Sequence, residues 1–184
     1  AYPYPTSAPP PPHSDVDPAQ MFGAVRDAGP GALIQVNHPR MSDIGYFNRA
    51  GLDSDAGVAK NAAYSADFDV IEVVNGFDLG QAGLLDHNLK EWFALLSQGR
   101  RYTAVGNSDS HRLGQEWVGY PRTYVQVKQD DPRVVTAEEI AESLKAGRAI
   151  VSGGPFLVAK VEGRGPGELA RADDGRVTLQ VSVR

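Results

Sequence analysis

The sequence contains no cysteine, so neither a disulfide framework nor a thiolate metal site is available, and a metal ion would have to be held by His, Asp, Glu or water. No run of Lys or Arg is longer than the pair Arg100–Arg101, and the net charge is −5, which argues against binding to a nucleic-acid backbone. The longest uncharged apolar runs, such as Ala32–Val36, fall far short of the roughly 20 residues that cross a bilayer. We therefore expect neither a nucleic-acid nor a membrane partner.

The composition is that of a folded domain. The chain has 184 residues, of which 41% are hydrophobic and 22% are charged, as is typical of one globular domain with a real core. Its first residues include neither an initiator Met nor a signal sequence. Its last residues, 177–184, alternate between apolar and polar side chains and predict a strand that needs a partner. We expect the chain to be a portion of a longer parent protein.

Three regions are predicted along the chain. Residues 1–17, with Pro9–Pro12 in succession, predict an extended proline-rich connector. Residues 18–152 alternate between strand and helix patterns, which favours an α/β fold with a mostly parallel sheet or part of a barrel. Residues 153–184 predict the start of a small β-rich region. The predicted strands are 32–37, 69–74, 102–105, 123–127 and 149–152, and the predicted helices end at Gly29, Gly99 and Gly147.

The helix that ends at Gly99 has a clear amphipathic pattern. His87 and Glu91 are four residues apart in its polar part, which predicts a solvated helix face. The predicted buried stripe consists of Leu85, Leu89, Trp92, Phe93 and Leu96.

Polar residues follow three neighbouring strands at their carboxyl ends. His38 follows the first strand, Asn75 ends the second, and Asp109 and His111 follow the third. Because the carboxyl ends of parallel strands open on one face, we expect these side chains to converge. Residues two apart in an extended segment point the same way, so Asp109 and His111 can face one ion. We predict a zinc, manganese or iron site at His38, Asp109 and His111, although each taken alone is also compatible with an ordinary loop histidine or a turn.

Three charged residues near this site have alternative interpretations. Arg40 and Arg112 are the predicted catalytic side chains, because a guanidinium can neutralise a developing anion, and surface solubility is the alternative for both. Glu72 lies in the middle of an apolar strand, so it is either partnered inside the fold or part of the site.

Four segments resemble a known family: Gln35–Arg40 (QVNHPR), Ile71–Gly76 (IEVVNG), Gly106–His111 (GNSDSH) and Gly119–Val125 (GYPRTYV). In this order they resemble the PHP (polymerase and histidinol phosphatase) superfamily, and most closely its CehA/McbA-like branch. The resemblance implies that the chain is the C-terminal half of a distorted, TIM-barrel-like (βα)7 PHP barrel, followed by the start of the β-rich region. It also implies a metal-dependent hydrolase, in which metal-bound hydroxide attacks a small-molecule ester or phosphoester.

The resemblance further implies which residues bind metal. His38 matches the histidine ligand of the third family motif, and Asp109 and His111 match the Asp-x-His of the fourth. The intact enzyme is expected to hold two or three ions, yet the family's opening His-x-His motif and its next two ligands have no counterpart in this sequence. We therefore expect the isolated chain to be inactive, and we expect it to associate with the missing N-terminal half or with a second copy of itself. The alternative is a non-catalytic binding or structural module on a PHP-like scaffold.

Overall fold

The computed structural model describes residues 16–29, 31–41, 43–62, 64–76, 82–114 and 116–184. The predicted proline-rich connector lies outside the described residues, except for its last two positions. Within the described ranges the chain forms a mixed α/β fold with four small sheets. The helices are α1 (Pro18–Ala28), α2 (Tyr46–Ala50), α3 (Ala82–Ser97) and α4 (Ala137–Lys145), and the strands are β1 (Gln35–Val36), β2 (Leu52–Asp53), β3 (Val58–Ala59), β4 (Val70–Asn75), β5 (Thr103–Asn107), β6 (Arg122–Val125), β7 (Ala149–Ser152), β8 (Leu157–Val161) and β9 (Leu179–Val183).

The ends of two helices follow from local sequence. Asp17 caps α1 by accepting a hydrogen bond from the Ala19 amide at 2.9 Å, and Pro18 occupies the first helical position, where its missing N–H costs nothing. Thr136 caps α4 by accepting a hydrogen bond from the Glu139 amide at 3.2 Å. Asp and Thr are common helix-capping residues, so both helix starts follow from the local sequence.

The central sheet has the strand order β1-β4-β5, and all its pairs are parallel. The prediction of three neighbouring parallel strands is confirmed, and their carboxyl ends lie at one edge. β4 is the middle strand and is buried on both faces, as a parallel strand covered by other elements should be. Its Ile71 and Val73 side chains join a core that is rich in aromatic residues, formed by Phe22, Ile34, Val36, Phe47, Leu52, Phe68, Ile71, Val73, Leu95 and Tyr102. Val70 packs in a second cluster with Val105 and Leu144.

The direction of the strands around α4 differs from the prediction. β6 and β7 pair antiparallel, with Val125 opposite Ala149, so a parallel continuation of the sheet at this point is wrong. The Lys128 amide donates to Glu139 Oε1 at 2.8 Å, and the Gln126 amide donates to the Arg148 carbonyl at 2.9 Å, so the start of α4 and the residue before β7 both lie near the carboxyl end of β6. The connection through α4 therefore returns to the end of β6 at which it began, and β7 runs antiparallel to β6. Within the described residues no closed barrel is formed, and the PHP barrel stays a prediction.

Two antiparallel ribbons complete the structure. β2 pairs with β3, inside a stretch where the sequence predicts no regular structure, and β8 pairs with β9 in the region predicted to be β-rich. The side chains of Leu179, Val181 and Val183 remain more than half exposed along β9. None of the described helices is long and apolar enough to cross a membrane.

Candidate functional site

The turn after β1 holds His38 in an unusual backbone conformation. Among the described residues only His38, Asp109 and Glu162 combine a side chain with a positive φ, at 49°, 48° and 49°. Such conformations are uncommon outside glycine, although His and Asp adopt them more readily than most residues, and they occur often at functional sites. Two of the three positions are predicted metal ligands, and both follow a strand of the central sheet.

A β-bulge brings three polar side chains of β4 and β5 together. The register of the β4–β5 pair shifts between Glu72 and Val74, so that Asn75 lies opposite Asn107. In a regular strand Glu72 and Asn75 would point to opposite faces, and the extra residue in the bulge turns them to the same face. Asn75 and Asn107 then both donate hydrogen bonds to Glu72 Oε1, at 3.2 and 2.6 Å.

The second carboxylate oxygen of Glu72 binds His38. The backbone N–H of His38 donates to Glu72 Oε2 at 2.7 Å, and its ring atom Nδ1 lies 3.2 Å from the same oxygen. The Glu72 side chain is 1% exposed, and no Lys or Arg of the described residues contacts it. Of the two interpretations of Glu72, the structure therefore confirms that it is partnered inside the fold, and the partner belongs to the predicted site.

The loop after β5 presents Asp109 and His111 near the surface. Nδ1 of His111 lies 2.6 Å from the Asp109 carbonyl oxygen, which can only accept, so Nδ1 carries the proton. In the neutral ring Nε2 is then the free acceptor, and it lies 3.7 Å from Asp109 Oδ1. The His111 side chain is 70% exposed.

Glu116 holds this loop in shape. Its Oε2 accepts hydrogen bonds from the backbone amides of His111 and Arg112, and Ser110 Oγ donates to its carbonyl oxygen at 3.1 Å. The bond from the His111 amide is the main reason why the pKa of Glu116 lies below its ordinary value. The Glu116 carboxylate therefore stays charged, and the loop stays capped, across the neutral pH range.

The two predicted catalytic arginines occupy different surroundings. Arg40 donates Nε to Glu91 Oε1 at 2.5 Å, and its other nitrogens bind Asn48 Oδ1 at 3.0 Å and the Leu52 carbonyl at 2.6 Å. Most of its donors are thus committed within the fold. Arg112 lies exposed beside His111, and its guanidinium has no polar partner among the described residues. Arg112 is therefore the more available of the two for an anionic group.

Glu91 is the partner that sequence reasoning missed. It is fully buried on α3, so the predicted solvated face at His87 and Glu91 is wrong for Glu91. Ser54 Oγ donates to Glu91 Oε1 at 2.8 Å and contacts His87 Nε2 at 2.7 Å, which links the β2–β3 ribbon to α3. Sequence reasoning also misses Asn107. Its position opposite Asn75 depends on the β-bulge in β4, which no sequence pattern marks.

The three predicted ligands are not assembled into one complete metal shell. Within the described ranges, no three His, Asp or Glu side chains are placed to hold a common ion. The donor chemistry suits a divalent ion, since Asp109 and His111 face one another and His38 has a ring nitrogen without a polar partner among the described residues. The metal site stays a prediction.

Comparison of the chain with protein-family models, with curated proteins and with solved structures finds no match. The likeness to the PHP superfamily therefore depends on the segments quoted from the sequence alone.

Proposed function

We propose that this chain carries part of the active site of a metal-dependent hydrolase that acts on a small-molecule ester or phosphoester. One observation carries the proposal, namely the arrangement of Asp109 and His111 after β5. His111 Nε2 and Asp109 Oδ1 lie 3.7 Å apart, while Nδ1 of the same ring is engaged by the Asp109 carbonyl. The pair thus offers a nitrogen and a carboxylate oxygen that lie close together.

The separation of these two atoms supports a chelating role. Neighbouring ligands about 2.0–2.1 Å from a tetrahedral zinc ion lie roughly 3.3 Å apart, so a small side-chain adjustment brings 3.7 Å into that range. The 3.7 Å gap is also too long for a direct hydrogen bond that would occupy both atoms. A bound divalent ion would supply hydroxide near neutral pH by lowering the pKa of its water to about 7.

The chain's own residues would then bind and orient the substrate. Arg112 adjoins the pair, and its guanidinium, which has no polar partner in the described ranges, has planar donors that match a phosphoryl or carboxylate group. His38 follows β1 of the same sheet, and the loop of Asp109 and His111 would have to move toward it for His38 to provide a further ligand atom. The zinc, manganese or iron ions and the substrate named here are part of the proposal.

Titration of the purified chain with Co²⁺ tests the metal site, because the visible absorption of this ion reports its ligands. We expect binding of one ion, together with zinc, manganese or iron in elemental analysis of the purified protein. The variants Asp109→Ala and His111→Ala should abolish the signal. His87→Ala is the matched control, since His87 contacts Ser54 and lies on α3, and it should bind Co²⁺ as the parent chain does.

Hydrolysis is measured next with chromogenic ester and phosphoester substrates. The metal-loaded chain is assayed alone and with an N-terminal half of a PHP-type hydrolase supplied in trans, which would add the missing ligands. Turnover that requires Asp109 supports the proposal. A chain that binds no ion, or whose His111→Ala variant binds as well as the parent, contradicts it.

A non-catalytic binding module is the second candidate, and a separate feature favours it. Apolar side chains line a cleft between α3 and strands β5 and β7, and among its lining residues only Tyr102 is titratable. This cleft is better suited to binding an apolar ligand than to catalysing a reaction. Metal-independent quenching of tryptophan fluorescence by an apolar ligand, with no Co²⁺ site, would favour this candidate.

A further inference from the structure

We infer that Glu72 is a positioning residue that fixes the proton of His38 on Nδ1 and so reserves Nε2 as the atom that binds a cation. This inference rests on the proposed function only for the identity of the cation. The placement of the proton follows from the contacts of Glu72 in the metal-free chain.

The hydrogen bonds around Glu72 favour one position for the His38 proton. Its four contacts are the His38 amide and Nδ1 on Oε2, and the Asn75 and Asn107 amides on Oε1. A carboxylate has about four acceptor positions, so four donors satisfy it completely. The Asn75 amide also lies 3.3 Å from His38 Nδ1, but Nδ1 cannot accept from Asn75 while it donates to Glu72. Because a buried carboxylate left short of donors is costly, the proton belongs on Nδ1.

The charge of Glu72 favours binding of a cation at His38. The carboxylate is almost fully buried, and every one of its contacts is a neutral amide or an imidazole. A buried charge without a counter-charge is unfavourable. A cation bound to His38 Nε2, across the ring from Glu72, would offset that charge. Metal-binding histidines are commonly held in this way, by a carboxylate that binds the second ring nitrogen.

A Glu72→Leu variant removes the acceptor and keeps a side chain of similar size. His38 Nδ1 then loses Glu72 as its acceptor, and the Asn75 amide, 3.3 Å away, is left as a donor to Nδ1. The neutral ring of His38 should therefore move its proton to Nε2, which blocks that atom as a ligand.

The test is a long-range ¹H–¹⁵N correlation spectrum of the metal-free chain labelled at histidine, recorded at mildly alkaline pH. A His38→Gln variant identifies the His38 signals. We expect the Nδ1–H tautomer at His38 in the parent chain and the Nε2–H tautomer in Glu72→Leu. His111 provides an internal control, because the Asp109 carbonyl should hold its proton on Nδ1 in both proteins. Glu138→Leu, at an exposed position of α4, should leave His38 unchanged.

The outcomes separate this inference from the proposed function. An Nε2–H tautomer at His38 in the parent chain would overturn the inference, even if Glu72→Leu failed to fold. So would an unchanged tautomer in a folded Glu72→Leu chain. In the Co²⁺ titration, Glu72→Leu should weaken binding roughly 10- to 100-fold, as loss of a supporting residue commonly does. The expected tautomer in a chain that binds no ion would leave Glu72 as the positioning residue and reject the metal site.

Discussion

The ion pair between Arg40 and Glu91 makes a quantitative prediction about stability. The Glu91 side chain is fully buried and that of Arg40 is 12% exposed, so solvent screens the pair little. Replacement of Arg40 by Met leaves the Glu91 carboxylate buried without a cation, and removal of one partner of a buried pair costs about 3–5 kcal/mol. For a chain of this size that loss lowers the melting temperature by roughly 10 °C.

A double variant separates the effect of the buried charge on stability from the effect of side-chain packing. Arg40→Met together with Glu91→Leu removes both charges and fills similar volume, so the stranded carboxylate no longer exists. The Leu52 carbonyl still loses its donor, which costs about 1–3 kcal/mol. We therefore expect the double variant to be more stable than Arg40→Met alone.

Urea unfolding followed by circular dichroism measures these differences, and the surface variant Arg133→Met is the control. Arg133 pairs with Asp131 in an exposed contact, so its loss should leave the unfolding midpoint unchanged. A loss below about 1 kcal/mol in Arg40→Met would refute the reasoning, since it would mean that the pair is not buried in solution. A double variant as unstable as the sum of the two single variants would refute it as well.

Two further predictions concern the core. Burial raises the pKa of Tyr64, so the folded chain keeps the phenol proton to higher pH than the unfolded chain, and stability should be full below about pH 10 and fall as the pH rises above it. The Tyr64 hydroxyl has no partner among the described residues, so Tyr64→Phe should lower the free energy of unfolding by less than about 0.5 kcal/mol at pH 7. The variant should also lose less stability than the parent chain as the pH rises above about 10. A large loss of stability in urea unfolding at pH 7 would contradict this prediction. A Cβ on Gly106 would lie 2.5 Å from Val151 Cγ1, so Gly106→Ala should cost about 1–3 kcal/mol. Its control Gly83→Ala, where no described atom lies within 4 Å, should be neutral or stabilising by up to about 1 kcal/mol in the same urea assay.

The strands of the central sheet could be predicted because short apolar runs bounded by turn residues identify buried strands. β4 is observed at Val70–Asn75, within one residue of the prediction. β1 is much shorter than predicted, because side chains bind backbone groups of residues 32 and 34 in place of a neighbouring strand. Asp69 accepts from the Ile34 amide at 2.9 Å, and Arg26 donates to the Ala32 carbonyl at 2.6 Å. Sequence patterns predict where an apolar strand runs, and they do not reveal when side chains take over its hydrogen bonds.

The buried face of α3 could not be predicted because two of its members are polar. Phe93, part of the predicted stripe, is 54% exposed, whereas Leu95, Asn88 and Glu91 are buried. Asn88 donates to the Val73 carbonyl at 3.3 Å, and Glu91 binds Arg40. Hydrophobic periodicity assigns such residues to the solvent side, since their burial depends on partners that are distant in the chain.

The candidate site could be predicted in part for a related reason. Both His38 and Asp109 follow parallel strands, so they lie at the carboxyl-terminal end of the same sheet. This placement could be predicted from the order of the elements alone. The β-bulge that turns Glu72 and Asn75 to the same face has no marker in an apolar run such as VIEVVN. Without the bulge, alternation would place the two side chains on opposite faces, so the sequence alone could not predict the network around His38.

Contacts on both sides of His38 fix the turn that carries it, and they determine how rigidly the His38 ring is held. Its left-handed backbone costs about 1–3 kcal/mol, and it persists because Glu72 binds the His38 amide while Arg40, two residues later, is fixed by Glu91. Pro39, between them, is buried. The His38 ring is thus positioned before any ligand arrives, whereas the 70% exposed His111 is restrained only by its own loop. In the proposed metal site His38 would therefore be the preorganised ligand, and Asp109 and His111 would be the ligands that adjust.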